Sequence, residues 1–248
     1  MKSILVGFLI TFFVWPAFGK DVESSWNNAV LFTPDTTVPV KVSEIKTDKK
    51  YPVILYLHGC TGIVDWHDHD WGRTLSSIWY IVVMPDSMSR DGRIPNCDPV
   101  RKVGGLFPQA HDYRQQEIEY ALSQIKKSSW ADQDRLFLMG HSEGGTAVAI
   151  SQHQGFKANI ILAWTCNWRG DRFLDGIHSP KNVPILAVAA KKDEWRVGRV
   201  TEGRCIDNAR GRSVTQIDLD GSIHATTKYP ESKPAVLNFL KNIDKLNR

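Results

Sequence analysis

Arg135-Leu136-Phe137-Leu138-Met139-Gly140-His141-Ser142-Glu143-Gly144-Gly145-Thr146-Ala147-Val148-Ala149-Ile150 is the stretch from which the rest of the chain is read. Leu136 to Met139 is an apolar strand, Gly140-His141-Ser142-Glu143-Gly144 is G-x-S-x-G, and a run of small residues suited to a helix follows. Strand, turn and helix are the context that gives this motif meaning, because the serine must sit on a very tight turn to project its hydroxyl from the top of a sheet. Gly140 and Gly144 omit side chains that would collide across the turn, and Gly145 and Ala147 let the helix pack close. The helix N-terminus then faces the serine, so free N–H groups and the dipole meet any negative charge formed there.

The segments on either side fit one sheet. Upstream, Tyr51 to Leu57 is a continuous apolar run, as expected of a central parallel strand, and it ends in His58-Gly59-Cys60-Thr61-Gly62. Tyr80 to Met84 is a second buried strand, closing with Pro85-Asp86-Ser87. Gln109 to Lys127 carries Ile118, Ala121, Leu122 and Ile125 at helical spacing, and Asp132 to Arg135 is the turn into the serine strand. Trp26 to Phe32 reads as a first edge strand, Val38 to Ile45 alternates like a half-exposed strand, and Asp65 to Ser77 is a loop that becomes a helix. Downstream, Ala158 to Trp164, Val183 to Ala189 and Val214 to Leu219 are strands, and Pro234 to Leu246 is a closing helix. Buried strands alternating with helices imply an α/β fold, a mostly parallel central sheet covered on both faces. Ligands then collect at the carboxyl ends of the strands.

The bulk properties narrow the function. Forty-two per cent hydrophobic residues, with 9 Trp and 10 Phe in 248 residues, are ample for one core. A net charge of +4 with mixed signs along the chain does not call for nucleic acid. Lys2, the apolar run Ile4 to Phe18 and small residues at Ala17 and Gly19 form an export signal, with cleavage expected after Gly19. The expected organisation is a signal peptide at 1–19 and an α/β domain at 20–248, exported to a periplasm or secreted, without stable membrane insertion once the signal is removed. The four cysteines, Cys60, Cys97, Cys166 and Cys205, lie in the mature part, where export favours disulfides. Four cysteines allow three pairings and spacing does not choose among them; Cys60–Cys97 with Cys166–Cys205 is the expectation taken forward.

A serine hydroxyl needs a base, and the base needs a carboxylate to orient it. In α/β-hydrolases these follow in the order serine, acid, histidine. Ser142 comes first, Asp193 lies where the strand Val183 to Ala189 runs out, and His224 lies in the loop after the last strand. Glu194, Asp171, Asp175, Asp218 and Asp220 compete with Asp193, and His178 falls too early to replace His224. The oxyanion donors are expected to be the backbone N–H of Glu143 and of Cys60, with Thr61 the alternative. Thr61, His141, Trp164, Trp168 and Trp195 are candidate pocket residues, and Arg169, Arg196 and Arg199 lie in the same loops. Asp65-Trp66-His67-Asp68-His69-Asp70-Trp71 has metal-ligand residue types at a helix start, where they need not converge; neither a metal nor a cofactor is expected.

With these residues in place the chain resembles the dienelactone hydrolase family of the α/β-hydrolase superfamily. The similar parts are Leu57-His58-Gly59-Cys60, Met84-Pro85-Asp86-Ser87, Arg114 to Leu122 leading into Asp132 to Arg135, Gly140 to Gly145, Asp193 and His224. The resemblance implies an α/β-hydrolase fold, a small-molecule ester or lactone substrate and no large lid. Dienelactone hydrolases proper use a cysteine nucleophile where this chain has Ser142, and they are typically cytoplasmic, so a different carboxylic ester is expected. The His-Gly-Cys-Thr run is also similar to that of secreted polyester depolymerases and feruloyl esterases. The function expected from sequence is an exported serine hydrolase of carboxylic esters or lactones. The alternatives are a peptidase or acyl transferase on the same triad, or a non-catalytic exported binding protein on a hydrolase scaffold.

Overall fold

Strands with no polar face must be covered on both sides, and that requirement sets the architecture. A computed structural model describes residues 20–36 and 38–246. The expected signal segment at 1–19 lies outside the described residues. The elements in order are α1 (Lys20–Asn27), β1 (Val30–Phe32), β2 (Tyr51–Leu57), α2 (Asp70–Ser76), β3 (Ile81–Met84), β4 (Cys97–Asp98), β5 (Val103–Gly104), α3 (Ala110–Lys127), β6 (Ala131–His141), α4 (Glu143–Ile150), β7 (Ala158–Leu162), β8 (Ile185–Ala190), β9 (Val214–Leu219) and α5 (Ser232–Leu246).

Seven strands form one sheet in the order β1-β3-β2-β6-β7-β8-β9. β1 runs antiparallel to β3 and every other pairing is parallel. β2, β3, β7 and β8 are buried along their whole length. One face packs Leu55, Leu138 and Ile161 against α3 and α4 residues such as Ile118, Ile125 and Val148. The other face packs Ile54, Phe137 and Val188 with Trp71, Val236 and Leu240 of α2 and α5. This is an α/β-hydrolase fold, with the strand ends of β2, β6, β7 and β8 opening on a common edge.

Three local expectations change. Trp26 belongs to α1, so the first strand is only Val30–Phe32. The alternating stretch Val38 to Ile45 contributes a single bridge, Leu31 to Val40, and a short 3-10 turn at Val42–Glu44. Lys41 N–H donates to Glu44 Oε2 at 2.7 Å there, a local bond that competes with a strand ladder. Asp132 to Arg135 is part of β6 rather than a separate turn, and β2 shifts register against β6 between Tyr51 and Val53.

Candidate active site

The site is built around one strained residue. Ser142 has φ 57° and ψ −112° between β6 and α4, a left-handed conformation that a non-glycine residue adopts only when its surroundings enforce it. Gly140 and Gly144 make room for it. A Cβ on Gly140 would stand 2.4 Å from the Gly144 carbonyl oxygen, and one on Gly144 would stand 2.1 Å from that of Leu57. Any side chain at either position therefore pushes β6, α4 and β2 apart. Ser142 N–H donates to Leu162 O at 2.9 Å, which ties the turn to β7.

Asp193 and His224 meet across the strand ends. His224 Nδ1–H donates to Asp193 Oδ2 at 2.7 Å, and the other Asp193 oxygen accepts the Trp195 N–H at 2.9 Å. Trp195 stacks on the imidazole at 5.2 Å. Burial lowers the His224 pKa, Asp193 opposes that shift, and Arg196 and His67 add to it. The ring is therefore neutral near pH 7, with its proton on Nδ1 and, among the described residues, no hydrogen-bond partner for the Nε2 lone pair. Ser142 and His224 line one cavity of about 270 Å³, although no Ser142–His224 hydrogen bond is closed. Such bonds commonly tighten only with substrate bound. His141 holds the His224 loop, its Nε2–H directed at His224 O at 3.3 Å. Burial, then His67 and His224, keep its own pKa well below the usual histidine range.

Cys60 and Glu143 line one cavity with Ser142. Glu143 is the first residue of α4, so its N–H lies outside the helical ladder. Cys60 N–H makes no hydrogen bond among the described residues. The Cys60 loop is pinned by the Cys60–Cys97 disulfide and by Asn96 N–H donating to Cys60 O at 3.2 Å. The second disulfide joins Cys166 to Cys205, so both expected pairings are present.

Beneath these two backbone groups lies a charge network that sequence reading did not reveal. Arg114, fully buried, donates through Nε to Glu143 Oε1 at 2.9 Å and through Nη1 to Glu117 Oε2 at 3.2 Å. Its Nη2 donates to the carbonyls of His58 at 2.9 Å and Gly59 at 3.2 Å. One guanidinium thus grips both the residue after the serine and the loop leading to Cys60. Arg93 adds a 2.6 Å bond to Glu143 Oε1, and Arg90 links Glu117 to Asp21 of α1. Burial alone would raise the Glu143 pKa, but Arg114 and Arg93 outweigh it and pull it down to about 2. His58 is held neutral by burial and by Arg114, and its Nε2 accepts the Ser87 N–H at 3.1 Å. The only local sequence hint was Arg114 and Glu117, three apart on one helix; the other partners lie far apart in the chain.

The other expected residues fall as follows. Thr61, His141 and Trp195 line the 270 Å³ cavity. Trp168 and Trp195 line a second cavity of about 160 Å³ that also reaches Ser142 and Glu143. Trp164 is placed differently from expectation: it is completely buried under the Arg196 guanidinium, 4.5 Å from its ring, and lines neither cavity. From the His- and Asp-rich stretch, His67 and Asp68 converge with His141, their ligand atoms within 4.8 Å, the one such group among the described residues. Asp68 is already engaged there, accepting from Tyr56 O–H, Val64 N–H and His67 Nδ1.

No protein-family model matches the chain. Among curated proteins it is 28% identical, over 220 residues, to "Probable dipeptidyl-aminopeptidase B" of Aspergillus fumigatus, across 76% of this chain and 22% of that protein. The chain therefore spans about a fifth of the curated relatives it matches. Solved structures with a similar fold include a dienelactone hydrolase-like promiscuous phosphotriesterase from metagenomic libraries (TM-score 0.59, 14% identity, 87% of this chain and 97% of that one). Est1E from Butyrivibrio proteoclasticus, solved with ferulic acid, is similar at TM-score 0.58 and 15% identity, over 89% and 96% of the two chains. An S-formylglutathione hydrolase from Agrobacterium tumefaciens is similar at TM-score 0.56 and 19% identity, over 77% and 84%.

Proposed function

We propose that the chain is an exported serine hydrolase that cleaves carboxylic ester or lactone bonds through an acyl-enzyme. The observation that carries this reading is the Asp193–His224 hydrogen bond, with His224 Nε2 unpartnered among the described residues in the cavity that Ser142 also lines. In the reaction, His224 Nε2 takes the Ser142 Oγ proton as Oγ attacks the carbonyl carbon. The oxyanion is met by the N–H groups of Cys60 and Glu143 and by the start of α4. Collapse expels the alcohol oxygen, which takes the proton from Nε2. Water then repeats the sequence with the same base and releases the acid. Asp193 holds the Nδ1–H tautomer and stabilises the imidazolium without itself being protonated.

The test is direct. A fluorophosphonate probe labels Ser142 of the mature chain, located by mass spectrometry, and the label is lost in His224→Ala. Ser142→Ala lowers kcat on a short-chain 4-nitrophenyl ester by about four or more orders of magnitude. Unlabelled folded protein, or unchanged turnover in Ser142→Ala, overturns the reading. Peptide cleavage is the second reading, favoured by the likeness to dipeptidyl-aminopeptidase B. A higher kcat/KM on dipeptidyl anilides than on esters decides for it.

A further inference from the structure

Two cavities meet at Ser142, and the proposed chemistry assigns them. The departing alcohol must collect its proton from His224 Nε2. It therefore belongs in the cavity lined by His224, His67 and His141. The other cavity is lined by Glu143, Thr146, His111, Trp168, Arg196 and Arg199, and is left for the acyl chain. At about 160 Å³ it holds a group of about benzene size, on the order of six heavy atoms.

Arg196 is the anomaly of that cavity. Its guanidinium carbon stands 4.5 Å from the Trp164 ring centroid, and among the described residues its Nε is buried without a hydrogen-bond partner and no carboxylate pairs with it. No nearby acid forms an ion pair with it among the described residues. Asp193 serves His224 and the Trp195 N–H, and Glu143 is held by Arg93 and Arg114. Glu194 pairs with Lys102, and Glu202 accepts the Gly198 N–H. Burial, with Arg199 beside it, pulls the Arg196 pKa down to about 10 despite the opposing charge of Asp193. His111, held neutral by burial, lines the same cavity with an Nδ1 that is buried and unpartnered among the described residues. A half-buried cation without an ion-pair partner carries a desolvation cost that an anionic ligand offsets. The side chain lines the cavity and makes no hydrogen bond among the described residues, so its guanidinium N–H groups are available to a planar carboxylate.

Resting on the acyl-enzyme reading above, we propose that Arg196 binds a carboxylate at the far end of the acyl chain, with Arg199 at the cavity mouth. The preferred substrates are then half-esters of short dicarboxylic acids. Beyond its ester carbonyl, a glutaryl chain places six heavy atoms in the cavity.

The experiment compares monomethyl glutarate with methyl 5-methylhexanoate, its uncharged isostere, by pH-stat. The wild-type chain is expected to favour the half-ester in kcat/KM by about tenfold to a hundredfold, the range of a charge-assisted hydrogen bond. Arg196→Gln brings that ratio towards one and Arg196→Lys retains part of it, while fluorophosphonate labelling of Ser142 reports that each variant is folded. A wild-type ratio of one, or a ratio unchanged in Arg196→Gln, overturns the proposal. Binding separates this from failure of the hydrolase reading. Monomethyl glutarate titrated into Ser142→Ala protein quenches tryptophan fluorescence saturably, and Arg196→Gln abolishes the effect. Should wild type hydrolyse neither ester, that quench still establishes the carboxylate site; its absence overturns it.

Discussion

Arg114 grips Glu143 behind Ser142 while Arg196 lines a cavity that reaches Ser142, and their partners differ sharply. All three nitrogens of Arg114 have partners: Nε on Glu143, Nη1 on Glu117, Nη2 on the His58 and Gly59 carbonyls. Its pKa is raised, because Glu143 and Glu117 outweigh the effect of burial. Arg196 has a ring beneath it and no ion-pair partner among the described residues, and burial lowers its pKa despite the charge of Asp193. A saturated arginine is architecture; an unsaturated one is free to recognise a ligand. The two walls are also built differently. The Arg114 wall is held by ion pairs drawn from α1, α3 and α4, the Arg196 wall by the Cys166–Cys205 disulfide and hydrogen bonds such as Asn208 to the Cys166 carbonyl.

The largest effect that would test this contrast is Arg114→Met. It takes one cation from each of two buried carboxylates, leaving Glu143 only Arg93 and Glu117 only Arg90, and costs about 3–5 kcal/mol in urea denaturation. Arg196→Gln, breaking no ion pair, changes stability by less than about 0.5 kcal/mol. Equal losses in the two variants would end the distinction. Next, replacing Cys166 and Cys205 together by alanine costs about 2–4 kcal/mol by thermal unfolding, the range for a disulfide that closes a loop of 39 residues. A negligible loss would mean that hydrogen bonds alone hold the Arg196 wall. The smallest effect concerns pH. Glu143 has a folded pKa below its unfolded value, so its ionisation stabilises the fold above about pH 4.5, and that contribution fades as pH falls towards 2. The stability gap between wild type and Glu143→Gln is therefore widest near pH 7 and narrows between pH 4.5 and 2, as read from urea midpoints across that range. A gap that stays constant breaks the assignment of charge to Glu143.

The central strands, the serine turn and the hydrolase fold were legible in sequence because their signals are local. Strand Leu136 to Met139, two glycines whose absent side chains the backbone requires, and a following small-residue helix all sit within a few turns of one another. Asp193 and His224 could be placed because parallel strands deliver their trailing loops to one edge. Val38 to Ile45 misled because alternation alone cannot tell a strand from a segment stapled by Glu44 to its own backbone. Trp164 misled because an indole next to a strand end suits a pocket wall and a core equally, and only packing decides. The Arg90, Arg93, Arg114, Glu117 and Glu143 assembly was invisible because each residue alone reads as a solvated charge.

That assembly also bears on how fast the molecule forms and comes apart. Its members run from Asp21 to Glu143, and any partial version leaves a dry, unmatched charge. It cannot grow one contact at a time. Long-range closure of this kind slows folding. Ion pairs that form only after the rate-limiting step resist unfolding in full, since all of them must break on the way out. The consequence is a long native-state lifetime, set less by the depth of the energy well than by the height of its wall.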